Sequence, residues 1–87
     1  MKKQSKKSYV LVSIHWRGDF LQAKRVLQSL LPYDIKSHNV WDSGGSLTFE
    51  VFKTDLSVAA NLFNTTCQEL ENESLHDFSD WYITIGN

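Results

Sequence analysis

The 87-residue sequence predicts a single α+β domain with its elements in the order β-α-β-β-α-β. Three observations predict it. Apolar residues alternate with period two over residues 9–16, 46–53 and 81–85, as on strands with one buried face. They recur at spacings of three and four over residues 20–31 and 59–70, as on helices packed along one stripe. Between the two central strands lies Asp42-Ser43-Gly44-Gly45, which has the chemistry of a hairpin turn. A 41% apolar and 22% charged composition excludes a disordered chain, and the length leaves no room for a second domain.

Residues 1–8 carry Lys2, Lys3, Lys6 and Lys7 and read as a flexible basic tail ahead of a domain over 9–87. In the first strand Val10, Val12, Ile14 and Trp16 share one face, and Tyr9, Leu11, Ser13 and His15 share the other. Arg17-Gly18 breaks the strand and Asp19 is placed to cap a helix over 19–31. Its inward stripe is Phe20, Ala23, Leu27, Leu30 and Leu31. Pro32 ends it, because the residue before proline is pushed out of helical backbone. Over 33–41, Ser37, His38 and Asn39 interrupt Ile35, Val40 and Trp41, the pattern of an edge strand with a bulge. After the hairpin, Leu47, Phe49 and Val51 alternate with Thr48, Glu50 and Phe52. Thr54 or Asp55 then caps a second helix to about residue 71, with Ala59, Leu62, Phe63, Thr66 and Leu70 inward. A polar loop over 72–79, anchored by Leu75 or Phe78, leads to a last strand. There Trp81, Ile83 and Ile85 oppose Tyr82 and Thr84.

This order, with a tight central hairpin and two helical crossovers, resembles the ferredoxin-like plait over residues 9–86. The resemblance implies an antiparallel sheet of strand order 4-1-3-2 with both helices on one face. Many unrelated functions use that plait, so function has to be read from the surfaces.

The net charge of −1 hides an asymmetry. Residues 1–36 carry eight Lys/Arg and two Asp, giving +6, whereas residues 37–87 set Lys53 against eight acids, giving −7. In the implied topology three connections meet at one pole: residues 17–18, the hairpin at 41–46 and the loop at 71–79. An acidic rim of Asp42, Glu69, Glu71, Glu73, Asp77 and Asp80 is expected there, with the lysine tail at the opposite pole. Negative charge at a helix C-terminus opposes the helix dipole, and crowded carboxylates attract a basic partner. The uncovered sheet face offers Tyr9, Leu11, Phe52 and Tyr82 as one apolar-aromatic patch for self-association or RNA.

No catalytic constellation is visible. Cys67 is the one cysteine, so no disulfide forms within the chain, and its neighbours Phe63 and Leu70 mark it as a buried hydrophobe. His15, His38 and His76 lack ligand spacing, so neither a metal nor another cofactor is expected. Ser43 is explained by its turn. An anion site at His15-Trp16-Arg17-Gly18 lacks a long glycine-rich loop and meets the charge of Asp19. The absence of a signal-type apolar segment reads as cytoplasmic.

These features point to a non-catalytic protein-binding module: an inhibitor, neutraliser or regulator. Phage-encoded anti-defence proteins and nuclease-immunity proteins supply the class analogy. Trp41 is the expected aromatic anchor, and Asp42, Glu71, Glu73, Asp77 and Asp80 are the expected steering charges for a basic protein partner. The alternative is an RNA-binding plait using Tyr9, Phe52 and the lysine tail. It is opposed by Glu50 on the same face and by five Lys/Arg against ten Asp/Glu outside the tail.

Overall fold

Residues 8–86 are described in a computed structural model; the expected basic tail lies almost wholly outside them. The β-branched run Tyr9–Arg17 forms β1, Phe20–Leu30 forms α1, Asp34–Trp41 β2, Gly44–Phe52 β3, Leu56–Asn72 α2 and Ser79–Gly86 β4. Two single 3-10 turns, Lys53–Asp55 and Leu75–Asp77, flank α2. The strands form one antiparallel sheet in the order β2-β3-β1-β4, the expected order read from the other side.

Alternation dictates the core. Val10, Val12, Ile14 and Trp16 of β1 pair with Val51, Phe49, Leu47 and Gly45 of β3, and these apolar side chains share one sheet face. Phe20, Ala23 and Leu27 from α1 and Ala59, Phe63, Cys67 and Leu70 from α2 join them in a single buried cluster. Phe63 sits at the centre, its ring 5.0 Å from Phe49 and 5.6 Å from Tyr33. Asp19 caps α1 as expected, its Oδ1 accepting from the Gln22 N–H at 3.1 Å. The bulge expected in the edge strand lies between Ile35 and Ser37.

Four expectations need correction. The hairpin turn is Asp42-Ser43 alone; Gly44 and Gly45 belong to β3, paired with Trp41 and Val40. Neither glycine has positive φ. Their role is space: a Cβ on Gly44 would lie 2.1 Å from the Trp16 carbonyl oxygen, and one on Gly45 would lie 2.4 Å from the Phe20 ring. Leu30 is exposed and Leu31 is buried, because the chain leaves the helix at Leu31 and turns it back toward the sheet. Ile85 is exposed, since β4 is an edge strand that the helices cover only in part. At α2, Asp55 is the N-cap residue, but its side chain makes no capping hydrogen bond.

Trp16 stacks between Phe20 and Phe78 at 5.4 and 5.6 Å, and its buried indole N–H has no acceptor among the described residues. An unsatisfied buried donor carries a desolvation penalty of about 1–3 kcal/mol. Trp16→Phe removes that penalty along with part of the ring, so its unfolding free energy from urea titration is expected to lie within ~1 kcal/mol of that of the native protein. Trp16→Ala is expected to cost about 3–5 kcal/mol. A loss above about 2 kcal/mol in Trp16→Phe would show that the N–H is satisfied.

Candidate functional site

Three connections meet at the pole where β1 ends. Gly18, at a φ of 131° that favours glycine, donates its N–H to the Ser43 carbonyl at 2.8 Å. Asp19 donates its N–H to the His76 carbonyl at 2.9 Å. These bonds tie the β1–α1 junction to the hairpin on one side and to the α2–β4 loop on the other. Phe78 anchors that loop as expected, buried at 2% exposure, with Leu75 half-buried.

Among the described residues the pole carries Asp19, Asp42, Glu71, Glu73, Asp77 and Asp80, all exposed, with Arg17 beside them; Glu69 and Lys24 lie about one turn further along α2 and α1. The rim is not a bare array of carboxylates. Asp80 Oδ2 accepts from Arg17 Nη1 at 3.5 Å, with both side chains well exposed. Glu71 Oε1 accepts from the Trp81 indole N–H at 2.8 Å, which joins the end of α2 to β4.

On the open sheet face the pole contains a cleft of about 340 Å³ lined by His15, Trp16, Arg17, Trp41, Ser43, Asp80 and Tyr82. The register explains its shape. Trp41 and Arg17 both pair with Gly44, so indole and guanidinium stand on the same face, roughly 10 Å apart at the backbone. Gly44 puts no side chain between them. On the other side His15 pairs with Tyr82, and their rings stack in parallel at 4.4 Å. Asp80 arrives through a bulge: β4 pairs Tyr82 with His15 but Ser79 with Arg17, which leaves two residues opposite Trp16. Asp80 takes left-handed backbone there, at φ 51°. A bulge re-aims its side chain, here toward Arg17.

Burial holds the His15 imidazole below its ordinary value of 6.5. Its Nε2 shares a 3.0 Å hydrogen bond with the Thr84 hydroxyl. Cys67 is fully buried and burial pushes its thiol up to about 12, so it is no nucleophile at neutral pH. His15 and His38 lie on opposite sheet faces, His38 beside the Phe20 ring at 5.6 Å, and His76 lies in the α2–β4 loop.

Comparison with protein-family models, curated proteins and solved structures finds no match to this chain.

The expected apolar-aromatic patch is two clusters rather than one. Tyr9 and Phe52 pair and stack at 4.7 Å at the far end of β1, with Leu11 next to them. Tyr82 lies six residues along β1, roughly 20 Å away. Between them runs a polar row of Ser13, Thr48 and Thr84, with Ser13 and Thr48 hydrogen-bonded at 2.8 Å. The sequence points to Trp41 and Asp80 but does not join them to His15 and Tyr82. Alternation puts the latter two on the open face, and only the register places them beside Arg17.

Two outcomes are expected. At Asp80, Asp80→Val should lower stability by about 1–2 kcal/mol, because β-branched residues resist left-handed backbone. Asp80→Gly should leave stability unchanged or raise it by up to ~1 kcal/mol. Similar losses for both would place the cost in the ion pair. At His15, the unfolded chain takes up the proton more readily than the folded one. Its contribution to stability is therefore full above pH ~6.5 and is lost as pH falls through 6.5 toward the lower folded value. The urea midpoint should drop over that interval, and His15→Phe should reduce the drop.

Proposed function

We propose that the chain is a small non-catalytic protein-binding module, built on a ferredoxin-like plait, that docks on a basic partner protein and inhibits, neutralises or regulates it. The observation that carries this reading is the charge at one pole, six carboxylates beside Arg17, gathered from three connections and the ends of the elements they join. Such a field accelerates encounter with a cationic surface and discriminates against anionic ones. Trp41, 46% exposed beside that field, is the aromatic anchor. Negative charge at the end of α2 disfavours the helix, which supports a role outside folding for Glu69 and Glu73, whereas Glu71 also holds the Trp81 indole.

The RNA reading draws on Tyr9, 48% exposed and stacked on Phe52 beside the chain's basic start. Against it, the next row of the same face holds Glu50 opposite Asp34, two carboxylates of which Lys36, 3.8 Å from Glu50, answers one.

Affinity capture from the native host is expected to retain a basic protein, released by moderate salt. The double variant Asp42→Lys with Glu73→Lys should weaken capture by at least tenfold. Retention of no protein, or undiminished capture by the double variant, would sink the proposal. Salt-sensitive binding of single-stranded RNA, lost on Tyr9→Ala, would favour the alternative.

A further inference from the structure

We infer that the cleft between Trp41 and the His15–Tyr82 stack receives an arginine side chain of the basic partner, stacked on the aromatic rings with its guanidinium on Asp80. This inference rests on the protein-binding reading and specifies its contact point.

The cleft has the size of a small ligand site, about 340 Å³. Trp41 and Tyr82 are 46% and 56% exposed there, a high exposure for two large rings flanking one opening. Aromatic faces attract cations, tryptophan most strongly. A planar guanidinium stacks on such rings and also offers paired N–H groups to a carboxylate, whereas an ammonium does neither as well.

Asp80 is the carboxylate in reach. Its bond to Arg17 is 3.5 Å long, beyond the 2.7–2.9 Å of a strong charge-assisted hydrogen bond, and both groups face water. Asp80 therefore keeps acceptor capacity for an incoming donor. His15 adds no opposing charge at neutral pH, because burial favours its uncharged form.

An anion is the competing occupant, since Arg17 lines the same cleft. Asp80 already answers that guanidinium, and Asp42 and Asp77 lie on the adjoining hairpin and loop. The lining holds one charge of each sign, and Asp42 and Asp77 on its border make the surroundings negative, which repels a phosphate and attracts an arginine.

The test uses the intact chain and two synthetic ten-residue peptides of equal charge. Each is built on glycine and serine, one carrying four arginines and the other four lysines. Binding is followed by nitrogen–proton correlation spectra in ~150 mM salt. The arginine peptide is expected to bind about tenfold more tightly and to shift the Trp41 indole and the amides of Arg17, Asp80 and Tyr82. Trp41→Ala and Asp80→Asn should each weaken it by roughly tenfold while barely changing the lysine peptide.

If both peptides bind equally, or lose affinity equally on Asp42→Lys with Glu73→Lys, the charged pole is the binding feature and the cleft inference is wrong. If neither binds even at low salt, the reading of a basic partner fails with it. Inorganic phosphate shifting the same cleft resonances at millimolar concentration would also overturn the inference. The map on the unaltered protein decides the matter even if a variant fails to fold.

Discussion

The site depends on two backbone hydrogen bonds that pull three connections onto one another: Gly18 N–H to the Ser43 carbonyl and Asp19 N–H to the His76 carbonyl. They demand close approach, and the chain supplies it with glycine. A Cβ on Gly18 would lie 2.5 Å from the Asp77 carbonyl oxygen, and one on Gly44 would lie 2.1 Å from that of Trp16. With the junctions so tied, residues far apart in sequence share one pole, and Arg17, Trp41 and Asp80 line one cleft. The α2–β4 loop accommodates this geometry with left-handed backbone at Ser74, His76 and Asp77, and the start of β4 with the same at Asp80. Such conformations cost energy in residues other than glycine, although aspartate tolerates them better than most. Phe78, buried beneath the loop and stacked on Trp16, anchors that run of turns to the core.

Much of the fold is legible in the sequence because alternation and helical spacing report burial directly. Val10, Val12, Ile14, Leu47, Phe49 and Val51 are buried as their parity requires, and Asp19 caps the helix that its side chain suits. The misreadings have a common cause. Gly44 and Gly45 have the composition of a turn, but the strand needs them for clearance from β1 and Phe20, a tertiary demand that composition does not carry. Leu30 and Leu31 are adjacent and equally apolar, and the exit of the chain from the helix decides which one is covered.

The site was legible in its charges and not in its geometry. Connectivity alone puts carboxylates from distant segments at one pole. Which of them faces Arg17 depends on a two-residue bulge in β4, and nothing in Ser79-Asp80-Trp81 announces it. The same dependence on register divides the aromatic residues of the open face. Tyr9, Leu11, Phe52 and Tyr82 all have the right parity, yet pairing sets Tyr82 three rows from Phe52 across hydroxyl-bearing side chains.

Both bulges fall on strands at the margins of the sheet, β2 and β4. A border strand with an unbroken line of amide groups is a template on which a foreign strand can lengthen the sheet, and chains with such borders polymerise. Here each border is interrupted, one near Lys36 and the other beside Asp80, so the regular stretch left open is five residues on each side, 37–41 on β2 and 82–86 on β4. The distortion that positions a carboxylate in the cleft thereby also shortens the border on which a foreign strand could add.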